Sequence, residues 1–339
     1  MPASNLLLSS SPHAFTPVST RKIMLAVVIA LLPATGYGVY LYGLSALVLV
    51  LATVAASVAS ELLFRAAIKA PRSVGDLSAV VTGLLLALVL PPSTPIWMAV
   101  LGAVFSIVVA KEFFGGLGAN PFNPALIGRA FLLMSFPAAI TTWNKPFSAI
   151  ADAVTTATPL NMVKQGASLA DVAASVGAKD VGGLFAQLFL GNRSGSLGES
   201  SILLVTVGGL FLLGLGVIQW IVPVAVLGST ALFSWAMGMD PLFSLLSGGV
   251  VFGAFFMATD YSTSPLTPAG KAVYGAGIGL LVALIRKLGG FPEGVTYAIL
   301  VMNMLSPFLD KLRVKKYGYV APKKPAKAAA AAPAKEAAK

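Results

Sequence analysis

The stretch Leu44–Phe64 reads LSALVLVLATVAASVASELLF, and its only charged residue is Glu61. A helix of about 20 apolar residues crosses the hydrocarbon core of a bilayer. The whole chain has the same character, because 57% of its 339 residues are hydrophobic and only 10% are charged. Soluble domains carry roughly 25% charged residues. Too few polar side chains are present to cover a globular surface, so the sequence predicts a polytopic membrane protein.

About ten apolar runs of this kind follow one another, with ends that are loose by about 2–4 residues. The predicted fold class is therefore all-α, with about ten transmembrane helices. Several runs are too short for one straight span, and short runs at matching places are typical of inverted repeats with broken helices. The runs are Ile23–Tyr42, Leu44–Phe64, Leu77–Leu90, Ile96–Ala110, Pro124–Phe136, Ile202–Val217, Val222–Met237, Leu242–Ala258, Ala272–Ile285 and Gly294–Phe308.

The two halves of the chain echo each other weakly. PPSTP at 91–95 follows the third run, and YSTSP at 261–265 follows the eighth. Proline, glycine and serine are common at helix ends, so such echoes also arise without a repeat. The expected organisation is two five-helix repeats at 21–136 and 201–312, separated by an extracytoplasmic loop at 137–200. A cytoplasmic segment at 1–20 precedes them, and a basic, disordered tail at 313–339 follows.

The positive charges give the expected orientation. Lysine and arginine are more frequent in the connections on the side of the N-terminus than in those on the opposite side. Both termini are therefore expected in the cytoplasm, with residues 137–200 outside, as for a multi-pass protein of a bacterial inner membrane. The net charge of +11 is spread over helix ends and the tail rather than gathered in one basic domain. We expect contact with lipid and no nucleic-acid partner.

The composition also limits the chemistry. Cysteine is absent, and the single histidine is His13 in the polar N-terminal segment. This excludes disulfides, cysteine-ligated iron–sulfur clusters and haem held by two histidines of this chain. No metal ligands and no catalytic side chains are expected. If the protein transfers electrons, it needs an organic cofactor.

The most informative segment is Asp152-Ala-Val-Thr-Thr-Ala-Thr158-Pro159-Leu160 in the predicted outer loop. Threonine is a favoured N-cap and proline a favoured first helical residue, so Thr158 is typical of an ordinary helix start. The same start exposes backbone N–H groups, which suit a phosphate attached to the threonine hydroxyl. The step alone does not decide between these interpretations.

A second segment, GGLGANPFNPA at 115–125, leads into the short fifth run. Its glycines and two Asn-Pro steps cannot continue a helix, so polar backbone enters the membrane edge there. One interpretation is a re-entrant turn without a ligand. The other is a pocket in which Asn120 and Asn123 form hydrogen bonds with a planar heterocycle such as a flavin ring.

Ionisable residues in or near the spans form a third group. Thr259 and Asp260 directly follow the eighth run, in the string FFMATD at 255–260, opposite the asparagine segment in a pseudo-symmetric fold. Ionisable groups at membrane depth are functional hypotheses by default, although an acid at a helix end is often an ordinary surface group. This group contains Arg129, Asp76, Glu112, Asp260 and Asp310, of which Arg129 is the most clearly inside a run.

Together, these segments make most of the chain resemble one known family. The N-terminal Ser-Pro-His, residues 111–125, 152–158 and 256–260, and Pro292-Glu293-Gly294 up to Asn303 are similar to the D subunit of the Rnf complex, also called Rsx. They are also similar to the B subunit of the sodium-pumping NADH:quinone oxidoreductase. That relative usually has a longer N-terminal extension, and only about twenty residues precede the first run here. The resemblance therefore favours Rnf.

The resemblance implies covalent FMN, linked to Thr158 by a phosphoester. Asp152, Thr155 and Ala157 would be recognition residues of the attachment motif, and Thr156 stands where glycine is usual. An extracytoplasmic flavin transferase would attach the group. The resemblance also implies a second flavin, riboflavin, nearer the cytoplasm, and we assign it to Asn120, Asn123, Thr259 and Asp260, with Arg129 as a further candidate.

The implied function is that of one component of an ion-translocating oxidoreductase, inactive alone. The complex would couple electron transfer between ferredoxin and NAD⁺ to movement of Na⁺ or H⁺. The expected partners are the flavin-bearing G subunit outside the membrane and the A, E and C subunits within it. Two other functions stay open: a non-redox channel or transporter with the plan of urea and ammonium channels, and a scaffold without a cofactor.

Overall fold

The computed structural model describes residues 18–71, 73–144, 146–147, 157–191, 193–290 and 293–312. Within these ranges the chain forms helices and no strand. The prediction of an all-α membrane protein is confirmed. The predicted segments 1–20 and 313–339 lie largely or wholly outside the described residues.

The first half contains five apolar helices. They are α1 (Thr20–Tyr42), α2 (Leu44–Ala67), α3 (Ser78–Val89), α4 (Ile96–Val104), which continues as a π-helical turn at Phe105–Val109, and α5 (Pro124–Ser135). Short 3₁₀ turns at Val74–Asp76 and Glu112–Phe114 precede α3 and follow the π turn. Gly43 separates α1 from α2 with a φ of 72°, a value that glycine adopts without a steric penalty.

The loop between the halves is helical in its described part. It contains α6 (Pro137–Ile140), α7 (Pro159–Lys164), α8 (Leu169–Val176), α9 (Val181–Leu190) and a 3₁₀ turn at Leu197–Glu199. The side chains of Leu160, Val172, Ala173, Leu184, Leu188 and Phe243 form a small core of their own. This core fixes α7 against the second half of the chain, because Phe243 belongs to that half.

The second half is more broken than the first. It contains α10 (Ile202–Gly214), α11 (Ile221–Ala236), α12 (Pro241–Leu246), α13 (Val250–Phe252), which continues as a π-helical turn at Gly253–Met257, α14 (Pro268–Leu288) and α15 (Val295–Leu309). The predicted eighth run, Leu242–Ala258, is divided by extended backbone at Ser247 and by Gly248, whose φ is 65°. A break of this kind was expected in the fold, but not at this place.

Four of the described helical stretches are long and apolar enough to cross a membrane: Thr20–Tyr42, Leu44–Ala67, Ile96–Phe114 and Pro268–Leu288. Six shorter apolar helices accompany them: α3, α5, α9, α10, α11 and α15. Every predicted run thus contains helix, but several contain only a half-length piece. The inverted relation of the two halves stays a prediction.

Small residues let the helices approach closely. A side chain at Gly275 or Gly279 of α14 would collide with α11, where Ser229 faces Gly279. Gly128 of α5 likewise faces Ser106 in the first half. Such contacts hold helices together in lipid, where apolar burial alone provides little driving force. Large apolar side chains such as Leu63 and Trp235 are exposed on the outside, as a lipid-facing surface requires.

Candidate functional site

Thr158 is the N-cap of α7. Its Oγ1 accepts a hydrogen bond from the backbone N–H of Asn161 at 3.3 Å, and Pro159 is the first helical residue. The side chain is only 6% exposed. The structure therefore shows the helix start that the Thr-Pro step indicates, although α7 has only 6 residues. Ala157 precedes it and is exposed, whereas Asp152 and Thr155 lie outside the described residues.

A small cavity lies beside Thr158. We call it the Thr158 cavity, and its walls are Thr158, Pro159, Leu160, Arg193, Ser194, Glu199, Ser247, Gly248 and Glu293. It therefore joins the outer loop to the break between α12 and α13 and to the start of α15. The walls therefore carry one guanidinium and two carboxylates.

Two buried arginines hold the break in place. Arg193 donates to the carbonyl oxygens of Leu246 at 2.6 Å and Glu199 at 3.2 Å. Arg286, at the end of α14, donates to the carbonyl oxygens of Ser244 at 2.5 Å and Ser247 at 2.9 Å. Carbonyls at the end of a helix lack intrahelical partners, so cations beside them stabilise the terminus. The two guanidiniums therefore fix the C-terminus of α12.

Arg129 lies inside α5, as expected from the sequence, and is buried. Its guanidinium forms an ion pair with Glu293 and donates to Thr296 Oγ1 at 3.2 Å. Glu293 stands just before α15 and lines the Thr158 cavity. Arg129 is therefore linked through one carboxylate to the Thr158 cavity. The structure does not place Arg129 in the wall of the second site described below.

Glu199 is the other carboxylate of the Thr158 cavity. Burial and the nearby Glu293 raise its pKa to about 7, against the opposing effects of Arg193 and Arg129. Tyr42 and Arg286 also lie near enough to interact electrostatically with this part of the chain. Glu199 is therefore a group whose charge changes in the physiological pH range.

A second cleft opens beside Ser78, at the N-terminus of α3. Its walls contain all four residues that the sequence suggests for a second flavin, Asn120, Asn123, Thr259 and Asp260, and we call it the Asn120 cleft. Ser78, Lys111, Phe255, Phe256 and Ser262 also line it. A mostly apolar cleft with a few convergent polar groups is typical of a small-molecule site.

The asparagines position the loop as well as the cleft. Asn123 Oδ1 caps α5 by accepting from the N–H of Ala125 at 3.1 Å, and its Nδ2 donates to Met257 O at 3.4 Å. Asn120 Nδ2 donates to Phe122 O and to Ser262 Oγ, both at 3.0 Å. These bonds join the two halves of the chain across the cleft. They leave Asn120 Oδ1 without a hydrogen bond among those found in the described residues.

Asp260 accepts hydrogen bonds from Ser262 Oγ at 3.2 Å and Thr263 Oγ1 at 3.3 Å. Burial raises its pKa, while these hydrogen bonds act in the opposite direction. Thr259 Oγ1 donates to Phe255 O at 2.6 Å. The carboxylate is therefore held in place by its own loop, at the edge of the cleft.

Lys111 is a wall residue that the sequence reasoning missed. Its Nζ donates to Glu61 Oε2 at 2.9 Å and to Ser78 Oγ at 2.6 Å. Arg65 pairs with Glu112 at 3.0 Å beside it. Two features of the sequence could have indicated this ion pair. Glu61 lies near the end of one apolar run, and Lys111 and Glu112 directly follow a second apolar run. Only the folded chain shows that these charges meet.

Two of the remaining acids have local structural roles. Asp76 Oδ1 accepts from the N–H of Ser78 at 2.8 Å and so stabilises the start of α3. Asp310 Oδ1 accepts from the N–H of Leu266 at 2.6 Å, near the end of α15. Neither is in the wall of either cavity.

The two sites lie at opposite ends of α3. Ser78 at its N-terminus lines the Asn120 cleft, and the carbonyl of Leu90 after its C-terminus accepts from Leu197 N–H at 3.4 Å, two residues before Glu199. A helix of this length spans about 18 Å. The segment from Ser247 to Asp260 runs between the same two sites, because its first residue lines the Thr158 cavity and its last lines the Asn120 cleft.

Comparison with known proteins identifies the family. The family model described as NQR2, RnfD, RnfE matches residues 7–318. The chain belongs to this family. Its relatives include the D subunit of the proton-translocating ferredoxin:NAD(+) oxidoreductase complex of Clostridium ljungdahlii, which is 44% identical over 90% of this chain and 93% of the relative. The resemblance stated from the sequence motifs is confirmed.

Two further relatives of the family have similar names. The D subunit of the Na(+)-translocating ferredoxin:NAD(+) oxidoreductase complex of Acetobacterium woodii is 44% identical, over 96% of this chain and 99% of the relative. The D subunit of the ion-translocating oxidoreductase complex of Stutzerimonas stutzeri is 41% identical, over 92% of this chain and 96% of the relative. Because the proton- and sodium-named relatives are equally similar, the comparison does not select a coupling ion.

Proposed function

We propose that this chain is the membrane subunit of a redox-driven ion pump and relays electrons through FMN bound covalently to Thr158. Electron transfer between ferredoxin and NAD⁺ would be coupled to translocation of Na⁺ or H⁺. The relatives' names support the complex and its reaction. The observation that carries the flavin is Thr158 itself, a buried hydroxyl at the wall of a cavity that also contains Arg193.

The Thr158 cavity suits a phosphoester. Attachment joins the phosphoryl group of FMN to Thr158 Oγ1, releases the hydroxyl proton and, with FAD as donor, releases AMP. The new group is an anion, and guanidinium is the side chain best suited to bind phosphate oxygens. A flavin ring supplies one- and two-electron redox chemistry that no side chain of this chain supplies.

The Asn120 cleft suits a second isoalloxazine ring, which we assign to riboflavin. Phe255 and Phe256 provide apolar wall, while Asn120 and Asp260 provide polar groups at the edge. Two flavins at opposite ends of α3 would carry electrons across the thickness of the protein.

This function implies partners and an orientation. Electrons would arrive from the flavin-bearing G subunit outside the inner membrane, and the A, E and C subunits would complete the membrane part. Thr158 belongs to the outer loop by the positive-inside rule, which is the side on which a flavin transferase of this kind acts. The isolated chain is not expected to turn over.

The test uses the full chain expressed with its flavin transferase. After denaturation and electrophoresis, the wild-type band should fluoresce under ultraviolet light, because only covalent flavin survives. Thr158→Ala should give a dark band of equal protein amount. Thr141→Ala, at an exposed threonine of the same loop, is the matched control and should stay fluorescent. Fluorescence retained by Thr158→Ala would move the attachment to Thr155 or Thr156.

A further inference from the structure

Five charged side chains surround the Thr158 cavity or touch its walls. Arg193, Glu199 and Glu293 line it, Arg286 donates to the carbonyl oxygen of Ser247 in its wall, and Arg129 pairs with Glu293. Three cations face two carboxylates, so one positive charge is uncompensated even when both acids are ionised. Protonation of Glu199 would leave the cluster more positive still. A buried cluster with net charge is costly unless an opposite charge is present.

The hydrogen bonds of these arginines also indicate that an anionic partner is missing. Among the described residues, Nε of Arg129, Arg193 and Arg286 is buried and has no hydrogen-bond partner. The Nη groups of Arg193 and Arg286 bind backbone carbonyl oxygens, which carry no net charge. A buried donor left unpaired is costly, because it has lost its hydrogen bonds to water and gained none in the protein. Fixing the end of α12 therefore does not explain the whole arrangement.

We propose that Arg193 and Arg286 bind the phosphodiester through which the flavin is attached to Thr158. This inference rests on the proposed function. Attachment replaces a neutral hydroxyl by a group with one negative charge, which matches the uncompensated positive charge of the cluster. Arg193 lines the Thr158 cavity and is the direct ligand, while Arg286 acts from behind Ser247 and Gly248.

Phosphate binding by the arginines explains why the attachment residue is buried among charges rather than exposed on the loop. Guanidinium hydrogen bonds to phosphate oxygens are charge-assisted and directional. They would fix the phosphate and so the first atoms of the tether. The break after α12 places the two arginines there, because its free carbonyls hold both guanidiniums beside the cavity. Flavin attachment would then stabilise the fold as well as add a redox group.

The first test introduces the charge without the flavin. Thr158→Glu places one carboxylate at the site, and Thr158→Gln is its neutral isostere. In detergent, without transferase, the Glu variant should unfold several degrees above the Gln variant. In the Arg193→Gln background this difference should vanish, and in Arg193→Lys it should be partly restored. Lys179→Gln, at an exposed cation of the same loop, should leave it unchanged. Equal unfolding temperatures of the Glu and Gln variants in the parent chain would overturn the proposal.

The second test uses the flavin itself. Wild type expressed with transferase should unfold several degrees above wild type expressed without it, and Arg286→Gln should reduce that gain. A fluorescent wild-type band with no gain in stability would refute the role of the arginines while leaving flavin attachment intact. A dark wild-type band would show that no flavin is attached and would overturn this proposal. If Thr158→Glu still stabilised the chain, the site would bind an anion of another kind.

Discussion

The pair of Glu61 and Lys111 offers a prediction that does not depend on any cofactor. Glu61 lies in α2 and is 0% exposed, and Lys111 follows the π turn after α4 and is 2% exposed. Lys111 Nζ is 2.9 Å from Glu61 Oε2. Lys111→Met keeps an unbranched side chain of similar size and removes its charge. Glu61 then faces the protein interior without its ammonium partner.

The free-energy cost of Lys111→Met depends on the contacts that Glu61 retains. Breaking a buried ion pair by removing one partner costs about 3–5 kcal/mol, because the other charge stays buried. Glu61 retains a hydrogen bond from Ser73 and has Arg65 at 3.8 Å, so we expect the lower end, about 3 kcal/mol. The double variant Glu61→Gln/Lys111→Met leaves no buried charge at the pair, and replacement of both partners is often nearly neutral. It should lose only about 1 kcal/mol relative to the parent chain, so it should be roughly 2 kcal/mol more stable than Lys111→Met alone.

The assay is equilibrium unfolding in mild detergent with increasing dodecyl sulfate, followed by circular dichroism. Lys287→Met, the same substitution at an exposed lysine, is the control and should change the free energy of unfolding by less than about 0.5 kcal/mol. A Lys111→Met protein as stable as this control would refute the reasoning. So would a double variant that is no more stable than the single one, since the loss would then not come from an unpaired charge.

Two further predictions concern the sites. Asp260→Asn should lower ferredoxin:NAD⁺ oxidoreduction by the membrane complex roughly tenfold or more, the size expected for one charge-assisted hydrogen bond, and leave the gel fluorescence of Thr158 intact; wild-type turnover would return Asp260 to a structural role. The pKa of Glu199 is raised to about 7 in the folded chain, so folding favours its neutral form. Its contribution to the free energy of unfolding is complete below the ordinary carboxyl pKa of about 4.3. This contribution is lost as the pH rises through 7. Between pH 5 and 8, the unflavinylated wild type should therefore lose more thermal stability than Glu199→Gln, and parallel losses in the two proteins would contradict this.

The sequence predicts the helices of this protein well because lipid imposes long apolar runs. The third predicted run, Leu77–Leu90, differs from α3 by one residue at each end. The ninth was predicted from Ala272, whereas α14 starts at Pro268, because its first turn is polar and Thr267 caps it. A Thr-Pro step marks that start, as it does at Thr158. Hydropathy alone does not show such a start.

The break after α12 shows why hydropathy is insufficient in another way. Leu242–Ala258 is apolar apart from Ser244 and Ser247 and has no charged residue, so its composition indicates one span. Gly248 and Gly249 were the local signal for the interruption, but glycines are also tolerated within membrane helices. The backbone can leave the helix there because the two arginines described above satisfy its carbonyls. Neither arginine is near this segment in the sequence.

The sites were predictable to different degrees. The residues of the Asn120 cleft come from two apolar-run ends whose unusual composition is visible in the sequence, and the fold brings them together in one wall. The surroundings of Thr158 were not predictable. Arg193 and Arg286 read as ordinary cations outside the membrane, and Glu199 as a loop acid. Their convergence depends on helix packing over long sequence separations, which local patterns do not encode.

The most direct measurement of covalent flavin at Thr158 is mass spectrometry of the purified chain after coexpression with its flavin transferase. Trypsin does not cut efficiently at Lys145 because Pro146 follows, so Thr158 should be on the peptide of residues 130–164. We expect this peptide to carry the mass of one FMN less one water, with fragment ions that place it on Thr158. An unmodified peptide, with the transferase active on a control substrate, would contradict the proposed redox role of this chain.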